Sequence, residues 1–272
     1  MLNWNKLASR SENNLIKQEI KNDQSIAQRS WLKYQFNHCE GNYALSETEH
    51  FMLLSGESEK YINVFKQFLE SALTRILKSL NGLAVVPEES KFLIIILKDI
   101  DDYYDYVSQF YPEDGEFGLS SGVFINDEQP HLVFYSQELD FAEPIAMHEL
   151  AHACLSHLDI PVWLNEGLAV LMEQVHCNIP FMLDEQVMFR HKQYWTADKL
   201  DAFFSGDSFL FADEGQELSY HLACLIVRNI SSDLSTFVSF ANHAHFKDSG
   251  ESASKQYLGF SVMQYVYSIV NK

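Results

Sequence analysis

The sequence predicts an α+β fold, with a mixed β-sheet and its helices over residues 41–140 and a mainly α-helical half over 141–272. Residues 91–97 form a continuous apolar run rich in β-branched side chains, typical of a strand covered on both faces. Beyond residue 141, apolar side chains recur at helical spacing. Residues 1–40 are predicted to be an N-terminal helical extension, because 11–30 alternate apolar and charged positions at helical spacing.

The first half of the chain contains several shorter patterns between turn residues. The predicted strands are 31–36, 50–55, 91–97, 123–125 and 131–135, of which the last two form a hairpin. The predicted helices are 58–80, which ends at Asn81-Gly82, and 101–111. In the second half, the predicted helices are 141–158, 162–174, 196–204, 217–230, 234–241 and 260–270.

Composition limits the classes of partner. Hydrophobic residues make up 47% of the 272 residues, which indicates a globular chain. No apolar run approaches the ~20 residues of a membrane helix, and the first residues lack the apolar core of a signal peptide, so we expect a cytoplasmic protein. The formal net charge of −19 argues against binding to nucleic acid or an anionic membrane, because phosphate contacts need clustered Lys and Arg. The sequence indicates no particular oligomeric state.

The pattern His-Glu-x-x-His at residues 148–152 predicts a metal site on a helix. Residues four apart lie on one helix face, about 5–6 Å between Cβ atoms, so His148 and His152 can offer two imidazole nitrogens to one zinc ion. Acidic residues and Pro144 just before the motif are expected in the first turn of this helix. The helix is otherwise apolar, and unpaired polar groups inside it would cost several kcal/mol each. A bound metal would account for them.

A third protein ligand is needed, and helix geometry separates the candidates. His157 lies about 140° around the helix from His152 and faces away. Asp159 returns to the right face but lies about 10 Å along the axis. Pro161 ends the helix, so 162–174 can fold back as a second helix that carries Glu166 one turn from its start. We therefore predict Glu166 as the third ligand, with Asp159 as the next candidate.

This metal motif resembles that of a known peptidase family. The residues HELAH at 148–152 and PVWLNEGLA at 161–169 are similar to the gluzincin branch of the zincin metallopeptidases, in particular the peptidase-MA-like proteins. The resemblance is close over 143–172 and only architectural elsewhere. The metzincin pattern does not fit, because it requires Gly and His where this chain has Leu155 and Leu158. Val170 stands where many gluzincins carry an acid.

The resemblance implies a zincin-like fold with an active-site cleft between the sheet subdomain and the helical subdomain. It implies Zn²⁺ held by His148, His152 and Glu166, with Glu149 as the general base in the hydrolysis of a peptide or protein substrate. An edge strand of the predicted hairpin would hold that substrate by strand addition. Relatives often carry a transition-state tyrosine near the start of a later helix, so Tyr220 is the expected oxyanion stabiliser and His221 the second candidate.

Two other functions fit the same motif. A catalytically inactive zincin fold could bind a peptide or protein, and a structural zinc site could simply join two helices. Glu149 favours catalysis over both, since holding zinc does not require that side chain.

The remaining histidines and the cysteines are predicted to be unrelated to the metal site. His131 at a strand start and His191 in a polar stretch are both expected at the surface. The four cysteines lack metal-type spacing, and we expect buried free thiols.

Overall fold

A five-stranded mixed sheet followed by helices confirms the α+β class. The computed structural model describes residues 24–38, 42–88, 90–110 and 120–270, which form two compact units. Most of the helical pattern predicted over 11–30 lies outside these residues. Within the described ranges, we find no helix with the length and apolar character needed to cross a membrane.

The sheet belongs to the first unit. Its strands are β1 Ala44–Glu47, β2 Phe51–Ser55, β3 Phe92–Leu97, β4 Gly122–Ile125 and β5 His131–Tyr135, in the order β1-β2-β3-β5-β4. The three central strands run parallel, and β1 and β4 pair antiparallel at the two edges. Every residue of β2 and β3 is buried, as the continuous apolar run predicts. The predicted hairpin over 123–125 and 131–135 is confirmed.

Helices pack on this sheet. They are α1 Gln24–His38, α2 Glu59–Ser79, α3 Ile100–Val107 and α4 Leu139–Leu155. The first unit includes α2 up to Arg75 and α4 up to Ala153. A short 3₁₀ turn, Ser108–Phe110, continues α3. The core on one side of the sheet includes Leu32 of α1, Ile95 of β3, Tyr103 of α3 and Val133 of β5.

The prediction of a strand over 31–36 was wrong, because these residues lie within α1. The buried residues of α1, Ala27, Gln28, Leu32 and Gln35, recur at helical spacing. The Gln28 side chain donates to the Lys91 carbonyl at 2.7 Å and accepts from the Lys91 N–H at 2.9 Å. Burial of one helix face therefore outweighs the β-propensity of the aromatic residues on which the prediction depended.

The second unit is helical. Besides the end of α2, it contains α5 Val162–His176, α6 Glu185–Tyr194, α7 Ala197–Ser205, α8 Glu214–Ile230, α9 Leu234–His243, α10 Glu251–Ala253 and α11 Val262–Val270. The predicted helices there are confirmed in type and differ by a few residues at their ends, whereas α6 and α10 were not predicted. Short 3₁₀ segments, Asp207–Leu210 and Phe246–Asp248, and a π-turn, Ser254–Leu258, complete the unit.

The packing of α5 against α8 positions Glu166, the predicted third metal ligand. At Gly167, a Cβ atom would lie 2.6 Å from the Ala223 carbonyl oxygen, so only glycine permits this close approach of the two helices. Trp163 is fully buried, and its indole N–H donates to the Ser249 carbonyl at 3.1 Å. These two residues fix α5 within the unit.

Candidate metal centre

The His-Glu-x-x-His residues lie in the last three turns of α4. About half of the residues of this helix are buried, and a partly exposed stripe runs along it and contains Ile145, His148, Glu149 and His152. The ring centroids of His148 and His152 are 4.6 Å apart. The i, i+4 spacing therefore brings the two imidazoles together on one helix face, as predicted.

The start of α4 differs from the prediction. The helix begins at Leu139, so Pro144 is its sixth residue and lies beyond the first turn. Its first carbonyl acceptor is Glu138, which receives the N–H groups of Phe141 and Ala142 at 3.0 Å each. Because proline has no N–H, the Asp140 carbonyl lacks its usual helical donor four residues later.

Glu166 lies where the sequence predicts. Pro161 precedes α5 with an extended backbone, ψ 149°, and its carbonyl accepts the N–H groups of Leu164 and Asn165 at 3.0 Å each. The prediction that Pro161 ends the first helix was wrong, because α4 ends at Leu155, six residues earlier. Pro161 instead directly precedes α5 and marks its start. Glu166 is the fifth residue of α5, one turn from its start.

His148, His152 and Glu166 each offer one ligand atom, and these atoms all lie within 4.8 Å of one another. Among the described residues, no other group of three or more His, Cys, Asp or Glu side chains meets this condition. Two imidazoles and a carboxylate are a common ligand set for zinc, with bonds of about 2.0–2.2 Å. The donor set therefore fits a zinc ion.

The alternative ligands near the motif do not join this group. His157 and Asp159 are exposed, and the Asp159 backbone carbonyl accepts the Phe246 N–H at 2.9 Å. Burial raises the pKa of the Cys154 thiol to about 12, so it does not supply a thiolate at neutral pH. Cys154 and Cys224 are buried free thiols, as predicted, whereas Cys177 is only half-buried and Cys39 lies outside the described residues.

Asn165, directly before Glu166, carries a buried side-chain carbonyl oxygen that has no hydrogen-bond partner within the described structure. A buried acceptor in this state is costly unless a donor reaches it. Metal-bound imidazoles carry an N–H on their other nitrogen and require such an acceptor. The orphaned oxygen is therefore compatible with an imidazole metal site.

Glu149 contacts the edge of the sheet. Its Oε2 atom accepts the backbone N–H of Phe124, in β4, at 2.7 Å. The sequence did not predict this contact, since nothing local links a strand residue to a helix residue 25 positions later. It holds one carboxylate oxygen of the predicted base in a defined position.

The two candidates for the oxyanion role lie side by side on α8 and are both half-buried. The Tyr220 ring meets the Phe209 ring edge-on, with 5.3 Å between centroids. The His221 side chain bonds to His191 at 2.8 Å and to the Met182 carbonyl at 2.8 Å. Their role in catalysis stays a prediction.

The surface predictions for His131 and His191 were wrong. His131 is 2% exposed and lies between the Gln129 carbonyl at 2.7 Å and the Tyr106 hydroxyl at 2.6 Å. His191 is 0% exposed and bonds to the Trp195 indole N–H at 2.8 Å. In both cases a polar partner from the fold makes burial of the imidazole acceptable. For His191, the partner is Trp195, four residues later and directly after the end of α6, and it was visible in the sequence.

Comparison of the sequence with models of known protein families gives no match, and comparison with curated proteins gives none either.

Proposed function

We propose that this protein is a zinc-dependent peptidase. The observation that carries the proposal is the convergence of ligand atoms from His148, His152 and Glu166 to within 4.8 Å of one another. Three protein ligands on a tetrahedral ion leave the fourth position for water or substrate, which is the arrangement of catalytic zinc sites. Structural sites use four protein ligands instead. The same helix face also carries Glu149.

The chemistry follows from the residue types. Zinc held by His148, His152 and Glu166 would lower the pKa of a water molecule toward 7 and polarise the scissile carbonyl. Glu149 would accept a proton from water and deliver it to the leaving amine. The bond from the Phe124 N–H to Oε2 fixes the orientation of this carboxylate. Tyr220 or His221 stabilises the oxyanion.

A peptide or protein substrate is supported by the position of β4. Among the described residues, this strand lies at the edge of the sheet and pairs with β5 alone. An extended peptide can add to such an edge through backbone hydrogen bonds. The net charge of −19 disfavours nucleic acid as the alternative polymer substrate. We also propose a cytoplasmic location, which the buried free thiols Cys154 and Cys224 support.

The test is hydrolysis of a peptide library by the zinc-loaded protein, with Glu149→Gln as the matched control. We expect cleavage by the wild type, loss of cleavage with a chelator and recovery with added zinc. Glu149→Gln should bind zinc and remain folded but cleave nothing, because the amide cannot accept the proton. Binding of zinc and of peptides without any cleavage would favour an inactive binding module. Unfolding on zinc removal, with no binding or cleavage of peptides, would favour a structural zinc protein.

A further inference from the structure

The second unit contains a continuous series of three hydrogen bonds that includes His221, the second candidate for the oxyanion role. The Trp195 indole nitrogen lies 2.8 Å from His191 Nδ1. His191 Nε2 lies 2.8 Å from His221 Nδ1, and His221 Nε2 lies 2.8 Å from the Met182 carbonyl oxygen. The series thus links α6 and α8 to residues 177–184, the connector between α5 and α6.

The groups at the two ends of this hydrogen-bond series determine the donor and the acceptor in each bond. An indole N–H can only donate and a carbonyl oxygen can only accept. His191 Nδ1 must therefore accept from Trp195, which leaves the proton of a neutral imidazole on Nε2. That proton is donated to His221 Nδ1, so the proton of His221 lies on its own Nε2 and is donated to Met182. Both imidazoles are consequently neutral and carry the same tautomer.

The surroundings of His191 and His221 favour neutral imidazole rings. His191 is fully buried, and burial lowers its pKa to about 4. Burial also lowers the pKa of His221. The charged groups near the pair include Arg190, Glu214, Glu217 and Arg228. Asp184 lies at the end of the connector, where its carboxylate accepts the Val187 N–H at 2.9 Å. Arg190 bonds to both carboxylate oxygens of Glu217 at 2.9 Å, so these two opposite charges largely offset each other.

The connector contacts α8 through His221 and Arg228. The Phe181 ring stacks on the His221 ring, with centroids 4.6 Å apart and planes 9° apart. The Arg228 guanidinium lies 4.9 Å from the same Phe181 ring. The next residues of the connector, Met182 and Leu183, are 56% and 51% exposed, so their side chains add little packing. His221 contacts both Met182 and Phe181, so its protonation state affects how firmly the connector is held.

We propose that Trp195, His191 and His221 form an acid-sensitive latch that holds the connector 177–184 on α8. A second proton on either imidazole must go to Nδ1, where a donor already points at that nitrogen. Two opposed N–H groups replace one hydrogen bond, and the series breaks at that point. His221 is also the second candidate for the proposed oxyanion role, but the latch and its two tests require no peptidase activity.

The expected pH range follows from linkage. In the open connector the imidazoles regain their ordinary pKa near 6.5, so the open form binds protons more readily as the pH falls below that value. Release of one imidazole should therefore raise the opening constant of the connector between pH 7.5 and pH 5.5, with an upper limit of about tenfold. This window lies above the sequence pI of about 4.8, where precipitation would interfere.

Two measurements on the full chain test the latch. The first is ¹⁵N NMR of the imidazoles at pH 7.5, which should show both His191 and His221 neutral with the proton on Nε2. A proton on Nδ1 of either ring, or a charged ring, would refute the inferred hydrogen-bond series. This experiment requires only the wild-type protein.

The second measurement is hydrogen exchange of the peptide covering 177–184, expressed as protection relative to the unstructured peptide at each pH. Wild-type protection should fall between pH 7.5 and pH 5.5, with an upper limit of about tenfold, while protection within α8 stays unchanged. The matched control is the double variant His191→Gln, His221→Gln, whose neutral amides can accept and donate but cannot take up a proton. Its connector should show no pH dependence. An equal fall in both proteins, or none in the wild type, would refute the latch.

Discussion

The backbone N–H of Phe124 donates a 2.7 Å hydrogen bond to Glu149 Oε2. Phe124 belongs to β4 and lies opposite Leu132 of β5, which is the one neighbour of β4 in the part of the chain that the structure describes. The bond therefore ties the unpaired side of the sheet edge to the middle of α4. It couples the position of the proposed base to the strand that is proposed to receive the substrate.

This coupling predicts different effects for two substitutions of Glu149. Glu149→Gln keeps a carbonyl oxygen that can accept the Phe124 N–H, whereas Glu149→Ala removes the acceptor. We expect the Phe124 amide to exchange slowly in the Gln variant and faster in the Ala variant, with a stability difference of about 1–2 kcal/mol. Amide exchange by NMR measures the first effect and thermal unfolding the second. Identical exchange of Phe124 in both variants would show that Glu149 does not hold it.

The metal site predicts about one zinc per chain by elemental analysis. Alanine at His148, His152 or Glu166 should weaken zinc binding strongly, because each removes one of three ligands. Asp159→Ala is the control and should leave zinc binding unchanged, since its side chain is exposed and outside the ligand group. Retention of zinc by Glu166→Ala together with loss in Asp159→Ala would exchange the roles of these two residues.

The approach of α5 to α8 predicts that Gly167→Ala is destabilising. The added methyl would lie 2.6 Å from the Ala223 carbonyl oxygen and 2.7 Å from a Val227 methyl, so one helix must shift. Such overpacking typically costs about 1–3 kcal/mol. Because Glu166 is the adjacent residue, zinc affinity should fall as well. Val170→Ala, at a partly buried position of the same helix, should have a smaller effect on both; an unchanged unfolding midpoint in Gly167→Ala would contradict the packing argument.

The parts of the fold that depend on local spacing could be predicted from the sequence. The stripe that carries His148 and His152, the turn at Pro161 and the buried strand β3 each follow from residues close together in the chain. The meeting of Glu166 with the two histidines follows in addition from that turn, which allows α5 to fold back. These features need no knowledge of distant partners.

Burial of polar residues could not be predicted in the same way. His131 is buried because the Tyr106 hydroxyl, 25 residues earlier, bonds to its Nε2. Residues 31–36 form a helix because Leu32 packs against the sheet. Both outcomes depend on tertiary partners, which single-sequence propensities do not contain.

Burial of His131 predicts a pH dependence of stability. Burial lowers its pKa to about 4, below the value near 6.5 expected in the unfolded chain. The unfolded state therefore binds the proton first as the pH falls, and stability decreases from about pH 6.5 until about pH 4, by roughly 2–3 kcal/mol from this residue. Denaturant unfolding at several pH values measures the slope. His131→Gln should have a shallower slope than the wild type; equal slopes would exclude His131 as the source.

Tyr220 and His221 make different contacts, so the oxyanion role can be tested separately for each residue. Tyr220→Phe removes one hydroxyl but keeps the edge-on ring contact with Phe209. If that hydroxyl acts on the developing oxyanion, kcat and kcat/KM should fall together by ~10²–10³, with KM and Tm little changed. A lower Tm with normal turnover would instead make Tyr220 a packing residue.

His221 would then be the remaining candidate for the oxyanion role. Its test depends on which ring nitrogen carries the proton. Its Nε2–H now donates to the Met182 carbonyl, so the connector must release that donor before it can serve an oxyanion. His221→Gln keeps a neutral N–H donor, whereas His221→Phe keeps an aromatic ring against Phe181 but has no donor. Measurable kcat in the Gln variant with a fall of ~10²–10³ in the Phe variant would assign the role to His221. Equal activity of the two variants would exclude it.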